Sequence, residues 1–137
     1  MAYASREYLA ACELREELLR CPLGLRLTEQ DRAGEESHFH LVAECEGKVV
    51  GCLVLEPLTQ GELKMRQVAV APDWQRRGLG SALVSRAELL GRERGARSMV
   101  LHARTPIVGF YERLGYAVEG EPFVEVTIMH RRMRKAL

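Results

Sequence analysis

The stretch Gln67-Val68-Ala69-Val70-Ala71-Pro72-Asp73-Trp74-Gln75-Arg76-Arg77-Gly78-Leu79-Gly80-Ser81 decides how this chain is read. A strand ending Val68-Ala69-Val70 runs into a polar turn and then into a helix beginning near Gly78-Leu79-Gly80. Glycines at 78 and 80 let backbone N–H groups converge with no Cβ in the way. The helix start supplies a partial positive charge and free donors, and Arg76 and Arg77 add full charges. Together these suit a phosphate or pyrophosphate. The plainer alternative is a helix start with a solvated arginine pair and glycines for packing. Two other phosphate loops fit poorly. A P-loop needs Gly-x-x-x-x-Gly-Lys-Ser/Thr, and no lysine lies nearby. The dinucleotide fingerprint Gly-x-Gly-x-x-Gly/Ala fails because its last position is Leu83.

Working outward, Leu83, Ala87 and Leu90 give the helix after the loop one apolar stripe, with Val84 alongside and Gly95 as its stop. Leu63 to Val70 is the strand before the loop. Phe39 to Cys45 and Lys48 to Leu55 read as a hairpin around Glu46-Gly47. Ahead of it, Ser5 is an N-cap for a helix with Ala11, Leu14, Leu18 and Cys21 at helical spacing, stopped by Pro22 and Gly24. Residues 28–37 are polar and acidic, which fits a surface loop or a short irregular helix. Downstream, Ser98 to His102 is a short apolar strand suited to a sheet interior. Pro106 starts a short helix carrying Ile107, Phe110, Tyr111 and Leu114 and ending at Gly115. Phe123 to Met133 alternates as one final strand. The order predicts a mixed α/β sheet with an antiparallel first half and a βαβ-like centre.

Length and composition bound the rest. The chain has 137 residues, 47% hydrophobic and 28% charged, with a net charge of +1. One domain over residues 1–137 is expected at this length, with no general pull toward nucleic acid or an anionic membrane. The apolar runs fall short of a membrane span, and the first residues lack an apolar signal core. The expectation is a soluble cytoplasmic protein. Seventeen arginines stand against three lysines, and asparagine is absent. The basic tail, His130 to Leu137, has no interleaved aromatics, so a solvated terminus is expected rather than a nucleic-acid arm. Cys12, Cys21, Cys45 and Cys52 follow no metal spacing. Pairing Cys45 with Lys48 would set Leu41 opposite Cys52 and hold the two sulfurs about 13 Å apart, too far for a disulfide. Zinc held with His38 and His40 is the less favoured alternative to reduced, partly buried thiols. No metal is expected.

Gln75-Arg76-Arg77-Gly78-Leu79-Gly80 resembles the Gln/Arg-x-x-Gly-x-Gly/Ala motif of the GNAT acetyltransferase superfamily, with Pro72 in the preceding turn as in those enzymes. Further on, Gly109-Phe110-Tyr111-Glu112-Arg113-Leu114-Gly115-Tyr116 resembles their FYE-K/R-LGF helix end. The match is sharp over residues 65–116. It is looser over the first helix, the hairpin and the tail, where Phe123 to His130 resembles the last strand of small stand-alone members. The resemblance implies a GNAT-like mixed central sheet flanked by helices (α/β, or α+β), whose first strand is short or missing because only Met1 to Ala4 precede the first helix.

It also implies acetyl transfer from acetyl-CoA to a primary amine, a small molecule or a peptide, by direct attack in a ternary complex. In the family, the strand before the loop and the strand after its helix hold the pantetheine arm. Val68, Ala69 and Val70 would then carry backbone contacts to the pantetheine and thioester, with an N–H near Val70 as oxyanion donor. Gln75, Arg76, Arg77, Gly78, Leu79, Gly80 and Ser81 would form the pyrophosphate loop. Tyr111 matches the tyrosine that protonates the departing thiolate; its plainer reading is a core aromatic, as Phe110 beside it is expected to be. A homodimer is common among members.

Three positions depart from the family. Arg104 or Thr105 stands where an asparagine is frequent, so Arg104 is the candidate cofactor contact there. Lys64, Arg66 and Gln67 occupy the strand that often carries a glutamate base. The short N-terminus is the third. His130 is the candidate base or acceptor-site residue, set against a strand-end histidine near the surface. His102 would face the sheet centre as a satisfied core histidine. Glu119, Glu121 and Glu125 could hold a cationic acceptor. The alternative function, motivated by the missing glutamate, is a non-catalytic acyl-CoA-binding module of the same fold.

Overall fold

The computed structural model describes residues 6–30 and 32–137. Its main elements are α1 (Arg6–Arg15), β1 (Phe39–Cys45), β2 (Lys48–Pro57), β3 (Glu62–Val70), α2 (Leu79–Glu93), β4 (Ser98–Arg104), α3 (Val108–Arg113), β5 (Ala117–Glu125) and β6 (Ile128–Ala136). The expected first strand, Met1 to Ala4, and the Ser5 cap lie outside the described residues. Six strands form one mixed sheet in the order β1-β2-β3-β4-β6-β5. The chain divides into two compact units. One holds the described residues through Glu56 with Arg66–Ala87, and the other holds Pro57–Met65 with Glu88–Leu137.

In the first unit, α1 presents Ala11 and Leu14 to a cluster with Val49, Cys52 and Ala69. One π-helical turn (Glu16–Arg20) and a 3-10 turn (Cys21–Leu23) continue α1, and Gly24 ends them in the left-handed region at φ 73°. The wider turn rotates the helical face, so Cys21, expected on the apolar stripe, is exposed. The hairpin pairs Cys45 with Lys48 as expected, but a bulge between Ala43 and Glu44 sets Val42, not Leu41, opposite Cys52. Val50 is the extra residue, and from there outward the register differs by one. All four cysteines are free thiols.

Residues 28–37 carry more structure than their polarity suggests. They end in a 3-10 turn, Glu35–Ser37, that buries Glu35 completely. Arg15 Nη1 and Nη2 donate to the two Glu35 carboxylate oxygens at 2.8 and 2.7 Å, and the Tyr8 hydroxyl donates at 2.8 Å. His40 Nε2 bonds the Glu35 carbonyl at 2.7 Å. Arg66 approaches the same carboxylate at 3.8 Å. A buried carboxylate survives only when its lone pairs are filled in this way. The network ties the segment after α1 to β1 and to β3.

In the second unit, β3 pairs in parallel with β4 from Glu62↔Ser98 to Met65↔Leu101. Antiparallel β6 flanks β4, and β5 flanks β6. Met99, Val100, Leu101, Ala103 and Met133 are the buried centre. The tail predicted as one strand from Phe123 is instead a hairpin of β5 and β6. Its turn is Val126-Thr127, with φ of 49° and 67°. Such two-residue turns favour asparagine and glycine, so β-branched residues hid it. A second disguise is Gly120-Glu121-Pro122, which reads as a turn but is a bulge between the Glu119↔Arg132 and Phe123↔His130 pairs.

Glu35 yields a stability prediction. Burial pushes its carboxyl upward, but the Arg15 hydrogen bonds outweigh this and hold it below the usual range. A lowered carboxyl contributes stability that is present above the unfolded value, near pH 4.3, and lost as pH falls through the folded value. Glu35→Gln leaves a buried guanidinium short of its partner, so it should cost about 3 kcal/mol at neutral pH. Its stability should also fall less steeply on acidification than that of the unsubstituted protein. Urea denaturation across the acidic range checks both.

Candidate active site

The loop expected to bind phosphate is a continuous turn between β3 and α2. A 3-10 turn spans Pro72–Trp74, with Trp74 N donating to Ala71 O at 2.8 Å. Ala71 N donates to Val50 O at 2.8 Å, which pins the end of β3 to β2. The Gln75 side chain turns back and donates to Val70 O at 2.9 Å. Arg76 and Gly78 then both adopt positive φ, 63° and 82°. Alternating backbone handedness of this kind curls successive N–H groups toward one side. The first helical bond runs from Ala82 N to Gly78 O at 3.0 Å. The N–H groups of Leu79, Gly80 and Ser81 therefore precede the helical ladder, at the positive end of α2. Arg76 and Arg77 are exposed, and the Arg77 guanidinium lies over the Trp74 ring at 5.3 Å from its centre. An anion's oxygens fit the chemistry of these donors.

What presses α2 into place was not read from the sequence. A Cβ on Gly51 of β2 would meet Leu83 Cδ1 at 3.0 Å and Leu79 Cδ2 at 3.3 Å. Gly51 therefore lets the first turn of the helix lie close against the strand. An isolated glycine inside a strand pattern is the signal that could have found it. Val68 and Val70 are half-buried on β3 and Ala69 is buried between them. Gln67, just before, has φ 55°, and its side-chain oxygen accepts from Arg15 Nε at 3.3 Å.

Tyr111 is buried on α3, with its ring edge-on to Phe110 at 5.0 Å and to Tyr116 at 5.7 Å. Phe110, expected as the core aromatic, is only half-buried, and Ile107 is 45% exposed. The helix is too short to bury its whole apolar face. Burial pushes the Tyr111 phenol up to about 12, and its hydroxyl makes no hydrogen bond among the described residues. Tyr116 differs: its hydroxyl donates to buried Glu88 at 2.8 Å. Lys135 Nζ completes that lock, donating to Glu88 at 3.0 Å and to Leu114 O at 2.8 Å.

The acceptor-side candidates sort themselves by contact. His130 is not a surface histidine: it is buried, its Nδ1 bonds Ile128 O at 2.9 Å, and its ring stacks on Phe123 at 5.9 Å. His102 is not a core histidine either. It is 19% exposed, and its Nδ1 lies 2.7 Å from Glu125 Oε2. Phe123 also meets the His102 ring edge-on at 4.9 Å. The sequence placed His102 within one strand and Glu125 within another, and the missed hairpin is what joins them. Glu119 is occupied by Arg132 at 2.7 Å and by Arg134 at 3.1 Å. Glu121 is exposed on the β5 bulge. Arg104 stands opposite His130 in the β4–β6 ladder and, with Thr105, Pro106, Ile107, Ile128 and Met129, lines a cleft at that end of the strands. Among the described residues, no group of three or more histidine, cysteine or acidic side chains is placed to hold a metal. No described helix is long and apolar enough to cross a membrane.

Comparison with known proteins identifies the class. The family model described as the acetyltransferase (GNAT) family matches residues 6–116. The chain belongs to the GNAT acetyltransferase family. It is 34% identical over 74 residues to the uncharacterized protein YyaT of Bacillus subtilis, covering 54% of this chain and 50% of YyaT. YitI, an uncharacterized N-acetyltransferase of the same species, is 26% identical over 117 residues, covering 81% of this chain and 78% of its own. The chain spans about half the length of the first curated relatives it matches. Among solved structures, a Lactobacillus plantarum protein described as an N-acetyltransferase superposes with a TM-score of 0.87 at 22% identity, covering 99% of this chain and 94% of its own. A GNAT family acetyltransferase from Elizabethkingia anophelis, solved with acetyl-CoA bound, has a TM-score of 0.70 at 19% identity, covering 80% and 83%. These structural likenesses bear on the fold.

The two glycines predict different outcomes. Gly51→Val drives a branched side chain into Leu79 and Leu83 and should cost about 1–3 kcal/mol by overpacking. A Cβ on Gly78 meets nothing within 4 Å, so Gly78→Ala should cost only the left-handed backbone penalty, about 1–2 kcal/mol. Gly78→Asn should recover part of that loss. Thermal melts of the three variants check the ranking.

Proposed function

We propose that this chain is a single-domain N-acetyltransferase that moves the acetyl group of acetyl-CoA to a primary amine by direct attack in a ternary complex. The observation that carries this reading is the loop from Gln75 to Ser81, where two left-handed residues and a helix start gather backbone donors beside two arginines. The family match supports the same reading. Gln75 holds the loop's shape through Val70 O, and the N–H groups from Arg76 through Ser81 take the pyrophosphate. Val68, Ala69 and Val70 lend backbone groups to the pantetheine and the thioester carbonyl, which gains negative charge as the amine attacks. Arg104 supplies a further contact to the cofactor.

Tyr111 donates the proton that the departing thiolate needs. Its phenol, at about 12, stays protonated throughout the neutral range. A thiol with a reference value near 8.5 would match such a donor poorly in water. Dry surroundings raise thiols as well, however, as Cys52 shows: burial pushes it up to about 12. Burial that raises the phenol also raises a thiol released beside it, so the gap between donor and acceptor stays near that of their reference values.

A second reading, a non-catalytic acyl-CoA-binding module, is favoured by one observation: Lys64, Arg66 and Gln67 stand in β3, where family enzymes often carry a glutamate. Titration calorimetry and turnover separate the two. Acetyl-CoA should bind and CoA lacking its 3′,5′-ADP half should bind far more weakly. Gly78→Val and Gly80→Val should abolish binding while remaining folded. Tyr111→Phe should leave acetyl-CoA affinity unchanged and lower kcat about 100-fold, the scale of one general acid. Binding with no turnover toward any amine would favour the module.

A further inference from the structure

We propose that His102 and Glu125 form a base dyad in which His102 Nε2 takes the proton from the acceptor amine and Glu125 holds the imidazole in the tautomer that can do so. This deepens the acetyl-transfer reading and rests on it. An ionised carboxylate can only accept, so the 2.7 Å contact between Glu125 Oε2 and His102 Nδ1 places the hydrogen on Nδ1. In the neutral ring Nε2 is then the lone-pair nitrogen, and it makes no hydrogen bond among the described residues. The hydrogen bond from His102 keeps the Glu125 carboxyl below its usual range against the opposing effect of burial, with Lys64 and His130 adding to the charge stabilisation.

Position supports the assignment. Leu101 is the last residue of β4 in its parallel pairing with β3, and His102 is the next residue along the strand. Under the proposed function the pantetheine arm runs along β4, so a base just past the paired segment stands beside the reacting end of the cofactor. Phe123 fixes both histidine rings, edge-on to His102 and stacked on His130. His130 is nearly sealed from solvent and its Nδ1 partner is a neutral carbonyl, so no carboxylate orients its ring. A carboxylate partner favours the imidazolium that proton capture creates, and a carbonyl does so less. The charged groups around the dyad are Arg132 and His130 on β6, Arg104 on β4 and Lys64 on β3. Arg132 is drawn to Glu119.

The proton balance closes. The neutral amine forms the C–N bond to the thioester carbon, and His102 Nε2 takes the proton that the nitrogen sheds. The C–S bond breaks, and sulfur takes the phenolic proton of Tyr111. The imidazolium then loses its proton to solvent, and the tyrosinate recovers one from solvent. Glu125 does not change protonation; it is a positioning residue.

The test combines nitrogen NMR of the labelled protein with turnover assays. Spermidine, a lysine amide, an aminoglycoside and a short peptide with a free α-amine serve as probe acceptors. His102 should show the Nδ1-protonated neutral tautomer. Glu125→Gln should shift the neutral ring toward the Nε2-protonated tautomer and lower kcat with acetyl-CoA affinity unchanged, and Glu125→Asp should restore part of both. His102→Gln should lower kcat about 100-fold with acetyl-CoA affinity unchanged. An Nε2-protonated His102, or full turnover by His102→Gln, overturns the dyad and leaves acetyl transfer standing. Failure of the unsubstituted protein to bind acetyl-CoA, or to acetylate any probe, overturns both.

Discussion

The short parallel pairing between β3 and β4, Glu62↔Ser98 to Met65↔Leu101, is the constraint on which the rest depends. Parallel neighbours cannot be joined by a tight turn; the chain must cross over through a helix. α2 is that crossover, so its N-terminus has to follow the carboxyl end of β3. The connection must reverse direction in a few residues, which is why Arg76 and Gly78 take left-handed backbone and why Gly51 carries no side chain. The donors that suit an anion are thus a consequence of the topology. The sequence had only to keep them uncovered by side chains and to add two arginines.

Polar groups buried away from this loop do different work. Arg15, Tyr8 and His40 gather on Glu35, and Tyr116 and Lys135 gather on Glu88. Each carboxylate draws together elements that are distant in sequence, and each makes separation costly because its partners would be left buried and unpaired. Such networks are weak sources of net stability compared with apolar packing. They tie the segment after α1 and the turn after α3 to partners distant in sequence.

How far the sequence could be read follows from the range of the interactions involved. The β3–loop–α2 unit was legible because its signals are contiguous: an apolar run, two glycines, then a stripe of Leu83, Val84 and Ala87 closed by Gly95. The Glu46-Gly47 hairpin was legible for the same reason, although the bulge at Ala43/Glu44 shifted its register by one. Glu35 was invisible, because an acidic residue in an acidic stretch carries no local mark of a partner twenty positions away. The second hairpin failed for a subtler reason. Its turn, Val126-Thr127, lacks the residues that favour positive φ, while its bulge, Gly120-Glu121-Pro122, has turn residues without being the turn. The residues that mark a turn are therefore not at the turn.

That error explains why the acceptor side was the least legible part of the site. With one tail strand, His130 and Glu125 would lie at fixed separation along it, and no local signal marked Glu125 as the partner of His102. Folding that tail back on itself puts β6 between β4 and β5, and Glu125 reaches His102 across it. The missed hairpin is thus what brings a carboxylate to His102, with no change in the chemistry of any residue. The intrinsic pKa of histidine singled out both rings equally. What distinguishes them in the fold is the partner of Nδ1: a neutral carbonyl for one and a carboxylate for the other. Partner identity is a tertiary property, and it becomes readable only once the hairpin is in place.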